Sequence, residues 1–321
     1  LAKLNRNTPV LVDTKSLRLR AAWLYYNRRL TQKEIAEQLG VSRSTVIRAL
    51  EEAQKRGEVQ ISITQTPDEC TDLEMHLEER FGLDEAIVVP GSGTTDETAN
   101  DVGSALGVFL SDVISDDSVI GVGWGRTLNA SLRTFRPTVR QNVQVVSLLG
   151  GLLEAKAVNP IEYSWRIASL INAECLLFLA PLVVDSADTK RRLVEKCGLN
   201  VVFEAAEKLD IAVISCGDFG AESTSLSRTF LSSEDQQSLI AAGAVCDTLC
   251  QFLNSDGKTV FHPIHDRVMS VDLDAVSKAS HIILASGGKA RAPAIRATIS
   301  RTRCHTLITD EAAARELLKD S

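Results

Sequence analysis

The run Gly121-Val122-Gly123-Trp124-Gly125-Arg126-Thr127-Leu128 leaves an apolar segment and enters a helix-like one. Glycines let backbone N–H groups approach an anion or a hydroxyl cluster, and a helix N-terminus favours negative charge there. Arg126 and Thr127 add direct donors. The third glycine comes one residue too early for a dinucleotide fingerprint, and no Walker lysine follows, so a phosphate or a polyol fits better. Gly123, Trp124, Gly125, Arg126, Thr127 and Leu128 are therefore candidate binding residues, and three further loops resemble this one. Gly150-Gly151 follows the next apolar run. Gly243-Ala244-Val245-Cys246-Asp247 offers Asp247 as an acceptor for sugar hydroxyls, and Ser286-Gly287-Gly288-Lys289-Ala290-Arg291 offers Arg291 to a phosphate. A glycine pair after a strand is ordinary turn chemistry, so the expectation rests on all four loops falling at equivalent ends of one sheet.

A second chemistry lies near the N-terminus. Thr31-Gln32-Lys33-Glu34 has the spacing of a capping box, Gly40 supplies a turn, and Ser42 can cap a second helix. Ile35, Ala36, Leu39, Val46 and Leu50 form the inward face of such a pair, with Val41 at the corner. Arg43, Ser44, Thr45 and Arg48 point outward, suited to phosphates and base edges in a major groove, with Thr31 and Gln32 at the neighbouring helix start. Residues 17–26 supply a supporting first helix through Leu17, Ala21, Leu24 and Tyr25. Val59, Ile61 and Ile63 alternate as the strand of a wing.

Charge divides the same way. The 321 residues carry a net −7, yet residues 1–65 hold 12 basic and 6 acidic side chains, a local +6, leaving −13 for the rest. A basic head on an acidic body attracts phosphate without the body adhering to nucleic acid. The length predicts two domains, with 1–65 as the helix-turn-helix, 66–83 as a linker helix and 84–321 as the effector domain. The linker's Leu73, Leu77 and Phe81 stripe suits packing on the large domain or pairing of subunits.

The larger part alternates strand-like runs (86–89, 119–122, 143–148, 176–179, 211–214, 281–285, 305–308) with helical patterns (97–114, 129–135, 163–171, 290–299, 310–318). Strands apolar throughout are buried on both faces, which predicts an α/β domain with a mostly parallel sheet. No apolar run reaches the ~18 residues of a membrane span, and the N-terminal residues hold no signal-peptide core, so a cytoplasmic protein is expected. The seven cysteines are scattered, and Cys246 and Cys250 lack a second pair or a nearby His. They read as reduced, buried thiols, and neither a metal site nor a cofactor is expected.

Over nearly its full length the chain resembles the SorC/DeoR-type sugar-binding transcriptional regulators of bacteria. The carriers are AAWLYYNRRLTQKEIAEQLGVSRSTVIRAL, GVGWGRTL, LAPLVVDS, GAVCDTLCQFLNSDG and SGGKARAPAIRA with TLITDEAAA. The resemblance implies an effector domain similar in fold to sugar-phosphate isomerases and glucosamine-phosphate deaminases, usually assembled as tetramers; one helix-turn-helix reads only half a site, so a dimer or tetramer is expected. Cys246 stands where the family often has glycine, and Arg291 where a lysine is common. Arginine keeps the charge but forks differently.

The leading expectation is thus a regulator of a carbohydrate or polyol operon. Its partners are double-stranded operator DNA and a sugar, polyol or sugar-phosphate effector, with phosphorylated ligands favoured. An isomerase or deaminase would need a positioned acid and base, for which Asp247, Asp310, His262 and His265 are the nominees. An architectural DNA-binding protein would leave the glycine loops without a purpose.

Overall fold

The computed structural model describes residues 14–59, 68–91, 93–153, 158–219 and 230–319. The chain divides into two compact units, Leu1–Ile63 and Thr64–Ser321.

The first unit contains α1 (Thr14–Tyr26), α2 (Gln32–Leu39) and α3 (Arg43–Lys55). Thr31 and Glu34 form the expected capping box, and Gly40 takes a left-handed φ of 66° that closes α2. Ser42 caps α3 by accepting from the Thr45 N–H. Ala21, Ile35, Val46, Leu50 and Ala53 are buried together as a small core. Arg18, itself buried, clamps Glu58 through two hydrogen bonds of 2.5 and 2.6 Å, tying α1 to the chain beyond α3. The wing strand expected through Ile61 and Ile63 lies outside the described residues.

The second unit opens with α4 (Asp68–Phe81), which begins five residues before Leu73, the first residue of its apolar stripe. Leu73 and Leu77 are buried in this unit's own core, with Phe81 packed against it, so the stripe serves internal packing. There follow β1 (Glu85–Val89), α5 (Thr95–Val113), β2 (Val119–Val122), α6 (Arg126–Ser131), β3 (Gln144–Ser147), α7 (Pro160–Ile171) and β4 (Glu174–Leu176). Next come α8 (Ala187–Lys196), α9 (Asn200–Ala206), β5 (Ile211–Ile214), β6 (Cys216–Asp218), α10 (Ser233–Ala241), β7 (Cys246–Thr248) and β8 (Gln251–Leu253). The chain ends with α11 (Leu273–Val276), β9 (His281–Ala285), α12 (Ala292–Thr302), β10 (Thr306–Asp310) and α13 (Glu311–Leu317).

Seven strands form one sheet in the order β1-β10-β9-β5-β2-β3-β4, every pairing parallel. Alternate residues of each strand enter opposite cores, as the two-residue period requires. Ile282, Leu284 and Leu307 join one core with α4, α9, α12 and α13. Ile283, Ala285 and Ile308 join the other with α5, α6 and α7. Burial on both faces explains why these strands read as unbroken apolar runs.

Three expectations change. The helix expected at 129–135 starts at Arg126 and stops at Ser131, because Gly125 turns the chain and the following N–H groups bond three residues back. The strand expected at 176–179 ends at Leu176, where the Leu179 and Ala180 N–H groups bond two residues back in tight turns. Cys197 is exposed and Cys175 half-buried, so not every thiol is interior.

Two glycines let α5 lie close against the backbone of α6. A Cβ at Gly103 would stand 2.4 Å from the Thr127 carbonyl oxygen, and one at Gly107 would stand 2.2 Å from that of Ser131. Alanine stabilises a helix over glycine by about 1 kcal/mol, but overpacking costs about 1–3 kcal/mol. Because the obstacle is backbone, the clash wins. Gly107→Ala is expected to lower the urea midpoint and to reduce Tm by a few degrees, opposite in sign to the same change at an exposed helical position.

Candidate functional site

On the first unit, α3 exposes Arg43, Ser44 and Arg48, with Thr45 half-buried. The Ser42 hydroxyl lies 2.8 Å from both the Ser44 and Thr45 hydroxyls, so this face is held by its own cap. Arg43 Nε donates to Gln32 Oε1 at 3.3 Å, linking the starts of α2 and α3. An open cleft of about 620 Å³ is lined by Arg29, Thr31, Gln32, Lys33 and Arg43, together with Tyr25 and Leu30. Three cations and two hydrogen-bonding side chains along one cleft are the groups that grip a phosphate backbone.

On the second unit, chain order and sheet order reverse between β2 and β5. From β2 the chain steps outward to β3 and β4, then returns to β5 and proceeds through β9 to β10 on the other side. Ligands of open parallel sheets bind outside the carboxyl ends of strands at such a reversal. The β2 loop lies there. Gly123 donates to the Val213 carbonyl at 2.8 Å, and Gly125 lies against Ser215. Gly125 has φ 140° and ψ 166°, a conformation essentially restricted to glycine. Arg126 pairs with Asp96 at 3.3 Å.

On the far side of β5, β9 leads through Ser286 into Gly287 and Gly288. The Gly288 N–H donates to Asp310 Oδ1 at 2.6 Å. Arg291 is only 9% exposed; its Nε donates to Asp218 Oδ1 and its NH1 to the Gly287 carbonyl, both at 3.4 Å. Asp218 belongs to β6, which leaves β5 after one residue. It pairs antiparallel with β7, placing Gly217 opposite Asp247. Burial pushes the neighbouring Cys216 thiol up to about 11, with Asp247 adding to the rise and Arg291 opposing it. Arg291 and Asp218 thus meet beside the reversal, while Asp247, opposite Gly217, lies on the other face of the small sheet from Asp218.

Several expected residues have other duties. Gly150 and Gly151 are buried, with N–H groups bonded to the Met269 and Ala180 carbonyls. A Cβ at Gly150 would meet the Ala180 oxygen at 2.7 Å, so internal packing, and not a ligand, demands glycine there. Leu128 is fully buried, Trp124 and Thr127 nearly so, and the Trp124 ring lies 6.3 Å from that of Phe230. Asp247 sits in a strand of a small antiparallel sheet instead of a loop after a parallel strand.

Asp218 and Ser215 were missed by the sequence reading. Their signal was present: Ser-Cys-Gly-Asp follows the apolar run of β5 as the glycine loops follow β2 and β9.

Of the residues nominated for acid–base chemistry, Asp310, His262 and His265 are structural. Asp310 holds the Gly288 N–H. His262 caps the 3-10 turn Pro263–Asp266 by accepting from the Ile264 N–H, and its Nε2 meets the Ser238 hydroxyl at 2.7 Å. His265 Nε2 accepts from the Phe252 N–H at 3.1 Å, which requires a neutral ring nitrogen. Burial, then the His262 and Lys190 charges, lower its pKa from 6.5 to about 4. The unfolded chain therefore takes up a proton near pH 6.5 that the folded chain refuses until about pH 4. Stability from this group is complete above pH 6.5 and falls through that window by up to about 1.4 kcal/mol per pH unit. Urea titrations at pH 7.5, 6 and 5 are expected to show a shallower loss for His265→Gln than for the wild type.

Comparison with known proteins follows the same division. A sugar-binding domain model matches residues 65–319, and a homeodomain-like domain model matches residues 13–61. The chain is 32% identical to the transcriptional regulator LsrR of Klebsiella pneumoniae, over 98% of this chain and 96% of that one. It is 30% identical to the deoxyribonucleoside regulator of Bacillus subtilis (96% and 99%). It is 29% identical to the erythritol catabolism regulatory protein EryD of Brucella abortus (94% and 96%). Its fold matches the crystal structure of the full-length sorbitol operon regulator SorC from Klebsiella pneumoniae, with a TM-score of 0.72 at 24% identity over 94% of this chain and 98% of that one. Among the described residues no helix is long and apolar enough to cross a membrane. The chain belongs to the SorC/DeoR family of sugar-binding transcriptional regulators, whose members are regulators and not enzymes.

Proposed function

We propose that this protein binds double-stranded operator DNA in the cytoplasm and controls a carbohydrate or polyol catabolic operon, its DNA affinity set by a sugar, sugar alcohol or sugar phosphate. The supporting observation is one chain that joins a capped helix-turn-helix exposing Arg43 and Arg48 to a parallel sheet whose loops meet at a reversal of strand order. The relatives' names, which speak of erythritol catabolism and of deoxyribonucleosides, favour a carbohydrate signal. Residues 1–65 would form the DNA-reading head, with Thr31, Gln32, Arg43, Ser44, Thr45 and Arg48 at the groove. The effector would lie over Gly123, Gly125 and Arg126, with Asp247, Gly287, Gly288 and Arg291 around it.

A good base contact contributes about 1–3 kcal/mol of discrimination. Arg43→Ala combined with Arg48→Ala is expected to weaken operator binding at least tenfold in fluorescence anisotropy. Both side chains are exposed, so the melting temperature should not move. Unchanged operator affinity would remove α3 as the reading helix.

One helix-turn-helix contacts about half a site, so tight operator binding calls for two-fold pairing. A homo-oligomer, dimer or tetramer, is expected in light scattering at micromolar concentration. A monomer with and without DNA would contradict this.

A further inference from the structure

Among its described residues the head unit uses a left-handed backbone at Arg29, Gly40 and Gly57, with φ of 57°, 66° and 67°. Glycine adopts this conformation freely, whereas an L side chain brings its Cβ against the backbone. The turn at Arg29 leads from α1 to α2, and the Leu30 N–H closes it by donating to the Leu24 carbonyl at 3.2 Å. The fold gives this side chain no partner. Arg29 is exposed, and among the described residues it makes no ion pair and no side-chain hydrogen bond. Its neighbour Arg28 is committed elsewhere, with its guanidinium 4.9 Å from the centre of the Trp23 ring.

We propose that Arg29 is a phosphate clamp of the DNA-reading head, a left-handed arginine kept for its contact with the sugar–phosphate backbone of the duplex; the inference rests on the head proposed above. The cleft that Arg29 lines also carries Thr31, Gln32, Lys33 and Arg43, and no acidic side chain lines it. Several of its polar groups are already in use. The Thr31 hydroxyl donates to Glu34 Oε2 at 2.7 Å and accepts from the Glu34 N–H, and Gln32 Oε1 accepts from Arg43 Nε. Arg29 and Lys33 are exposed cations of this cleft with no partner among the described residues. A guanidinium can meet a phosphate with two parallel N–H groups, and its weak hydration lowers the cost of the contact. A phosphate contact fixes the protein's register on the duplex and carries no base information. Backbone strain retained at a ligand-facing position points to a contact that offsets it. Arg29 therefore serves affinity for any sequence, while Arg43 and Arg48 serve the choice among sequences.

The test is fluorescence anisotropy on the full chain with two duplexes of equal length, titrated at several salt concentrations. One carries the region upstream of this protein's own gene, and the other carries that sequence scrambled. Arg29→Gly is expected to weaken binding to both by about eightfold at about 0.1 M salt. The slope of log Kd against log salt should become shallower by about 0.9, the loss of one released counterion. The ratio between the duplexes should not move, and Tm should hold or rise because glycine relaxes the turn. Arg29→Lys keeps the charge and is expected to restore most of the slope. Arg28→Ala, one residue away, is expected to leave the slope unchanged. An unchanged slope in Arg29→Gly would overturn the inference. So would an equal loss in Arg28→Ala, which would mark a general field and not a contact. A fall in Tm together with lost binding, not restored by lysine, would assign Arg29 to the fold alone. A wild-type chain that binds neither duplex would remove the DNA-reading head and this inference with it.

Discussion

The arrangement of the large unit depends on how closely α5 lies on its neighbours. Gly103 and Gly107, one helical turn apart, let its backbone approach the Thr127 and Ser131 carbonyls of α6. On the same helix, Thr98 and Val102 press against Gly287 of the β9 loop. One helix therefore locates two of the loops at the carboxyl edge. A side chain at either contact would push α6 or the β9 loop outward, and the 2.8 Å bond from Gly123 to Val213 would have to follow. Close-packed interiors transmit such displacements because they have no slack to absorb them.

Electrostatics separates the two units by more than net charge. In the head, Arg43 donates to the Gln32 side-chain amide, and Arg48 is exposed. These charges remain available to a polyanion at low desolvation cost. At the carboxyl edge the cations are held by acids, and Arg291 is buried with Asp218. A guanidinium locked into an ion pair offers directional N–H groups more than charge. Paired cations of this kind favour directional hydrogen bonds, and exposed ones favour a long-range field.

The head's small core is supported at its helix ends. The Thr31–Glu34 box, the left-handed Gly40 and the Ser42 cap satisfy backbone groups that a unit of this size could not bury. The Arg18–Glu58 clamp adds a long-range tie between sequence positions 40 residues apart. With those ends fixed, α3 presents Arg43 and Arg48 on a rigid rod.

The sequence alone determined the features whose partners lie within a few residues. The caps at Thr31 and Ser42, the Gly40 turn, the inward face of Ile35, Val46 and Leu50, and most strands of the parallel sheet follow from local spacing and from the apolar runs. Four glycine loops were legible as loops or turns, but their duties were not. Gly150 and Gly151 look like Gly123 and Gly125 in sequence, yet the Ala180 and Pro181 backbone crosses directly over Gly150. The antiparallel sheet of β6, β7 and β8 has strands of three residues, too short for a periodic signal. Asp218 escaped notice because its partner Arg291 is 73 residues away. Local spacing records what a residue's neighbours need. Which distant chain lies against it, and therefore whether an arginine is free or already held, is decided only when the sheet closes and its helices pack.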